Sequence, residues 1–200
     1  MANMEQMYYQ DRTIEEIKIN NVLRNRTIYL NDEINSDAMF KFCYYLSRIE
    51  EIDIKNGISK DKLEPIYIVG TSYGGSIYDG LAGISKLEYL IEQKGYKIIT
   101  TIQGYAMSMC QAIMIVATER RAYNHSRIMI HQPSSGTYGK LKDMEEDIEE
   151  TLQLWIKMKE IIKKYSNMTE SQLEEIKKSK EDKFMWSQEA LELGIIDIIL

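Results

Sequence analysis

Short apolar, β-branched runs alternate with amphipathic helical stretches from about residue 26 to the C-terminus, and that alternation limits the fold more than any single motif. Arg26–Leu30 (RTIYL), Ile66–Val69, Tyr96–Ile102 (YKIITTI), the residues near Arg121–Tyr123, Arg127–Ile130 and Ile195–Leu200 read as strands. Parallel neighbours need helical crossovers, so this order implies an α/β domain with a largely parallel sheet. The three-and-four spacing of Met39, Phe40, Cys43, Leu46 and Ile49 predicts a helix capped by Ser36. A second runs from about Ile77 to Gln93 on Ile77, Leu81, Ile84, Leu87 and Ile91. A long helix over 140–165 carries Leu141, Met144, Ile148, Leu152, Trp155, Met158 and Ile162 on one face, and an acidic run (MEEDIEE) on solvent. Thr169 and Gln172 form a capping box, and Ser187 caps a last helix that Gly194 stops. Glu51–Glu64 reads as a charged inserted loop ending at Pro65, and residues 1–20 as a polar arm.

Two hundred residues suit one domain with a substantial core. The net charge of −6 argues against nucleic acid or an anionic membrane as the main partner. No apolar run approaches the roughly 20 residues of a membrane helix, and the N-terminus shows no signal-peptide pattern. Cys43 and Cys110, without zinc spacing, read as buried reduced thiols of a cytoplasmic protein.

Three stretches follow predicted strands and so can meet at one rim of the sheet, where such folds place their chemistry. The first is Gly70–Ser76 (GTSYGGS), whose adjacent glycines either make a tight turn or free backbone N–H groups for an anion or carbonyl oxygen. The phosphate-loop and dinucleotide patterns are both absent from it. The second is Gly104–Gln111 (GYAMSMCQ), where a turn led by Gly104 would set Ser108 at a helix N-terminus. Free N–H groups and the positive dipole end favour developing negative charge there, which suits either a nucleophile or a capping serine. The third is His131 in RIMIHQP, one of only two histidines. The other, His125, reads as a surface turn.

The segments GYAMSMCQA, SRIMIHQPSSG and EDKFMWSQEALELGIID, in that order, resemble the proteolytic subunit of the Clp protease family, over Arg26 to the C-terminus. The resemblance implies a ClpP/crotonase-like spiral of ββα units with the 140–165 helix protruding, one peptidase domain over 26–200, and residues 1–25 as an arm or axial segment. It implies Ser108 as nucleophile, His131 as general base and Asp182 as third member of the triad, with Glu181 the obvious substitute. The N–H groups of Gly75 and Met109 match the family's oxyanion hole. Such a set needs neither cofactor nor metal. Cys110, two helix positions from Ser108, faces elsewhere and reads as core.

The implied activity is that of a serine endopeptidase cutting peptides or unfolded chains, with broad preference and an apolar bias, inside two stacked rings fed by an ATP-driven unfoldase. Three departures bear on this. Tyr73 stands where the family has proline before its paired glycines, Lys180-Glu181 replaces the ring-linking Asp-Arg pair, and the segment before Arg26 is unlike the family N-terminus. The alternatives are a specialised processing protease working without an ATPase, such as one maturing viral capsids, or a non-proteolytic ring subunit. An acyl-CoA enzyme of crotonase type is disfavoured by the Ser–His pair.

Overall fold

The computed structural model describes residues 14–136, 138–179 and 181–200, apart from the side chains of Ile14, Glu15 and Lys18. The first part of the expected arm, with Tyr8 and Tyr9, and Lys180 of the ring-linking pair therefore lie outside the described residues. The rest of the arm is helical. Helix α1 (Ile14–Asn25) ends at Arg26, whose φ of 52° turns the chain into β1 (Thr27–Leu30).

Helix α2 (Ser36–Lys55) starts one residue earlier than expected, because Asn35 and not Ser36 is the cap: its side chain accepts the Ala38 N–H at 3.0 Å. The buried face holds Phe42 in place of Phe40, which is 72% exposed. The helix also runs into the stretch read as a charged loop. The charged residues at its end are not surface: Glu50 and Asp53 are themselves buried and partnered. The loop that remains holds one short 3-10 turn, Lys60–Lys62.

Glu50 accepts Lys86 Nζ at 2.8 Å and Tyr89 OH at 3.3 Å, and Lys94 Nζ lies 3.3 Å away. Burial raises its pKa, but the bonds and charges of Lys86 and Lys94 outweigh burial and hold it below the ordinary carboxylate range. The folded pKa thus lies under the unfolded one, so the stabilisation is full above the unfolded value and lost as pH falls through the folded one. Glu50→Gln should therefore lower the urea midpoint at neutral pH, and the gap from wild type should close as the pH falls below about 4.5.

The sheet runs β1, β2 (Ile66–Ser72), β3 (Ile98–Met107), β4 (Glu119–Ala122) and β7 (Ile198–Ile199), all parallel. Crossing back after β2, helix α3 (Ile77–Glu88) continues into a π turn (Tyr89–Lys94). Strand β3 is longer than expected and serves two neighbours. Ile99–Ile102 pairs with β4, and Tyr105–Met107 pairs with β5 (Arg127–Ile130). Between these halves its register with β2 jumps, from Gly70 opposite Ile102 to Ser72 opposite Ala106. Gly104, at φ 93°, sits in this bulge, where the extra residues need a conformation L side chains rarely adopt. Gly104 therefore does not lead the turn into the next helix; the strand carries on to Met107, and the turn falls on Ser108.

Helix α4 (Met109–Met114) is buried at every position. It packs under the sheet with Ile34, Phe42, Leu46, Ile68 and Ile98 in one continuous apolar core. Helix α5 (Leu141–Tyr165) joins that core through its C-terminal half, with Trp155, Met158, Ile161 and Ile162 buried and Tyr165 packed against them. Leu141, Ile148, Leu152 and Ile156 stay exposed, which corrects the expectation of one buried face along its length. In α6 (Glu170–Ser179) the expected capping box forms: the Thr169 N–H donates to Gln172 Oε1 at 2.8 Å, and the Gln172 N–H to Thr169 Oγ1 at 3.3 Å.

A strand not foreseen from the sequence, β6 (Lys183–Trp186), pairs antiparallel with β5. Helix α7 (Ser187–Glu192) follows, and Gly194 ends it as expected, at φ 66°. Ser187 does not cap that helix. It is buried, and its hydroxyl donates to the Tyr123 carbonyl at 2.7 Å. Among the described residues no helix is long and apolar enough to cross a membrane.

Candidate active site

Ser108 sits at the junction of β3 and α4 with φ 53° and ψ −126°, a strained conformation for a residue with a side chain. Its N–H donates to the Met129 carbonyl at 2.9 Å, which fixes the turn against β5. His131 leaves the end of that same strand. The parallel pairing of Met107 with Met129 brings the two residues to one corner, and His131 Nε2 lies 2.7 Å from Ser108 Oγ.

The pairing of β5 with β6 brings Asp182 to the neighbourhood of His131. The ladder ends where Ile130 pairs with Lys183, and the residues just beyond it, His131 and Asp182, come close together. Asp182 Oδ1 is 3.8 Å from His131 Nδ1, too long for a hydrogen bond but in reach of a small side-chain movement. Both side chains are part exposed, His131 at 24% and Asp182 at 48%. With Asp182 read as the third triad member, Asp182→Asn should lower peptide turnover by on the order of 10²- to 10⁴-fold, because that reading makes its charge the one that orients and stabilises the imidazolium. Glu181→Gln should leave turnover within about twofold of wild type, and steady-state kinetics on one peptide compares them.

The glycine turn closes the other side. A Cβ on Gly74 would lie 2.7 Å from Ser108 Cβ and 2.9 Å from the Met109 nitrogen, and one on Gly75 would lie 2.3 Å from the Ile34 carbonyl oxygen. With φ of 101° and 149° as well, neither position accommodates a side chain. The Gly74 N–H donates to Ser72 Oγ at 3.1 Å, and the bridge to Ile34 uses the Gly74 carbonyl and the Ser76 N–H. That arrangement leaves out the Gly75 N–H. Met109 is the first residue of α4, where N–H groups have no intrahelical acceptor. Among the described residues the Gly75 and Met109 N–H groups have no acceptor, which suits an oxyanion.

Tyr73 and Tyr105 meet with ring centroids 4.5 Å apart, and with Asp32 and Gly75 they border an open groove of about 480 Å³. Tyr73, in the place of proline, is 71% exposed there and leaves the glycine turn intact. Cys110 is fully buried, and burial pushes its thiol up to about 12, so it offers no competing nucleophile. Cys43 is also a free thiol, raised by burial. His125 lies exposed in the turn between β4 and β5, as expected.

Gln111 and Trp155 were not singled out in the sequence as site residues, yet both line the same corner as Ser108. The signal for Gln111 was present, as one polar residue at the head of an otherwise apolar run (QAIMIVA). Trp155 looked like one more apolar position on the long helix.

A strained serine between strand and helix, a histidine at 2.7 Å and free backbone donors beside them define a serine hydrolase built for acyl transfer. The Clp protease family model matches residues 10–200. The ATP-dependent Clp protease proteolytic subunit 1 of Prochlorococcus marinus subsp. pastoris is 32% identical over 182 residues, covering 90% of this chain and 85% of the relative. The ATP-dependent Clp protease proteolytic subunit of Porphyromonas gingivalis is 30% identical over 209 residues, covering all of this chain and 88% of the relative. The chain belongs to the Clp protease family and is a serine peptidase.

Proposed function

We propose that this chain is the proteolytic subunit of a compartmental protease that hydrolyses peptide bonds in unfolded polypeptides. The observation that carries the reading is the 2.7 Å contact between His131 Nε2 and Ser108 Oγ. In the reaction, His131 takes the Ser108 proton as Oγ attacks the carbonyl carbon. The Gly75 and Met109 N–H groups hold the oxyanion, and His131 returns the proton to the leaving amine. Asp182 swings onto Nδ1 to orient the ring and stabilise its charged form. Water then repeats the sequence and releases the acyl product.

Assembly is supported by the stripe of Ile148, Leu152 and Ile156 along α5, spaced so as to share one helix face. Exposed apolar residues in such a row fit the matching helix of another copy of this chain, as in two stacked rings. Long substrates then depend on an ATP-driven unfoldase, in keeping with the names of the Prochlorococcus and Porphyromonas relatives. The test is to incubate the purified protein with a reduced, alkylated protein and read new N-termini by mass spectrometry, with particle mass from light scattering. New termini from the unfolded chain, lost in Ser108→Ala, and a multi-subunit mass are expected. The same termini produced by Ser108→Ala would refute the reading.

A further inference from the structure

Two serine hydroxyls that the reaction does not use sit at the far end of the strands that carry it. Ser126 and Ser187 are both fully buried. Ser126 Oγ donates to the Ile102 carbonyl of β3 at 2.9 Å. Ser187 Oγ donates to the Tyr123 carbonyl at 2.7 Å, and the Ser126 carbonyl lies 3.3 Å from it. The Tyr123 N–H donates to the same Ile102 carbonyl at 3.1 Å, and the Ser126 N–H closes the turn on the Tyr123 carbonyl at 2.9 Å. The turn between β4 and β5 is thereby bonded to β3 on one side and to the residue that ends β6 on the other. Beside this node Arg127 pairs with Tyr105 of β3 and with Trp186 of β6. From that level the same three strands lead to Ser108, to His131 and back to Asp182.

On the reading of Asp182 as the third triad member, we infer that Ser187 is the residue that positions it, by fixing β6 lengthwise against β5. Strand β6 is four residues long and has β5 as its one strand neighbour among the described residues, so few contacts hold it along its axis. Met185 is buried and forbids a one-residue slip, which would turn every side chain of β6 over. It does not set the fine position, because an unbranched methionine adapts to small shifts. On the outer face the Arg127 guanidinium lies 5.3 Å from the Phe184 ring centre and 4.4 Å from that of Trp186. Such a contact grips the strand across its width without fixing a distance along it. The Lys183–Glu189 ion pair is part exposed and screened by solvent. The Ser187 hydroxyl differs from all of these, because a hydrogen bond weakens steeply once its geometry departs from the optimum. It clamps the residue directly after β6, and Asp182 is the residue directly before it. With Asp182 Oδ1 already 3.8 Å from His131 Nδ1, a slide away from the ring would take the carboxylate out of its reach. Ser126 supports the clamp by tying to β3 the turn whose carbonyls Ser187 grips.

The test is a double-variant cycle on one fluorogenic peptide, with Asp182→Asn, Ser187→Ala and the two combined, each read as kcat and KM. Ser187→Ala should lower kcat on the order of 10- to 10²-fold and keep KM within about twofold, as for a displaced group that does not bind substrate. In the Asp182→Asn background the same substitution should change kcat by less than about twofold, because no carboxylate remains to misplace. Losses that multiply in the double variant, or a Ser187→Ala kcat equal to that of wild type, overturn the inference and leave Ser187 a contact of the fold alone. Urea unfolding of Ser187→Ala tells the two roles apart, since a merely structural hydroxyl lowers the midpoint and leaves kcat unchanged. Should Ser187→Ala fail to fold by circular dichroism, Ser187→Cys, which keeps the size and a weak donor, runs the same cycle with the same deciding outcomes. Failure of the underlying reading is distinguishable: Asp182→Asn alone would then cut the peptide at the wild-type rate, and that outcome overturns both.

Discussion

Ser108→Ala and His131→Ala are each expected to lower kcat for a short peptide on the order of 10⁴-fold or more, and the double variant to lose little beyond either single one. The serine and histidine act as one unit across their 2.7 Å contact. Without Oγ there is nothing for the imidazole to activate, and without the imidazole the hydroxyl keeps its proton. On the proposed mechanism, what survives is the binding and oxyanion contribution assigned to Gly75 and Met109, common to all three variants. Multiplicative losses in the double variant would mean that the two residues work independently, contrary to the mechanism.

The second large effect is structural. Asp53 is 7% exposed and accepts both arms of the Arg26 guanidinium, Nη1 and Nη2, at 3.0 Å each, and the Tyr96 hydroxyl at 2.9 Å. Arg26 also donates through Nε to the Pro65 carbonyl at 3.1 Å and through Nη2 to the Glu64 carbonyl at 2.8 Å. One carboxylate thus ties together the start of β1, the end of α2 and the segments entering β2 and β3. Burial, with the bond to Asp53, holds the Tyr96 phenol well above its usual range, so the hydroxyl stays a donor. Asp53→Ala strands a guanidinium and a phenol in the interior and should cost about 3–5 kcal/mol of unfolding free energy. Asp53→Asn, which keeps an acceptor oxygen, should cost less. Urea unfolding at neutral pH measures both, and a loss under about 1 kcal/mol for Asp53→Ala would show the network to be dispensable.

Much of this architecture was legible because its strands are apolar runs and its helices carry regular spacing. The alternation of elements gave the parallel sheet, and the rim positions of Ser108, His131 and the paired glycines followed from where strands end. The approach of Asp182 to His131 was not legible, because it depends on the pairing of β6 with β5, and β6 (KFMW) is too short to announce itself. Charge hid the end of α2: Glu50 and Asp53 look like surface in the sequence, and only partners from distant elements, Lys86, Arg26 and Tyr96, bury them. On α5 the reverse happened. Leu141, Ile148, Leu152 and Ile156 have the spacing of a buried face, and nothing in this chain among the described residues covers them. Amphipathic pattern reports that a face wants burial, not which chain provides it. The Ser108 turn was misplaced by four residues for a related reason, since glycine marks a turn or a bulge with equal ease.

The central claim is that His131 activates Ser108, and a fluorophosphonate probe read by intact mass tests it most directly. Assembled wild-type protein should gain one adduct per chain, and Ser108→Ala and His131→Ala should gain none. An adduct that persists in Ser108→Ala, or its absence from folded, assembled wild type, would contradict the account.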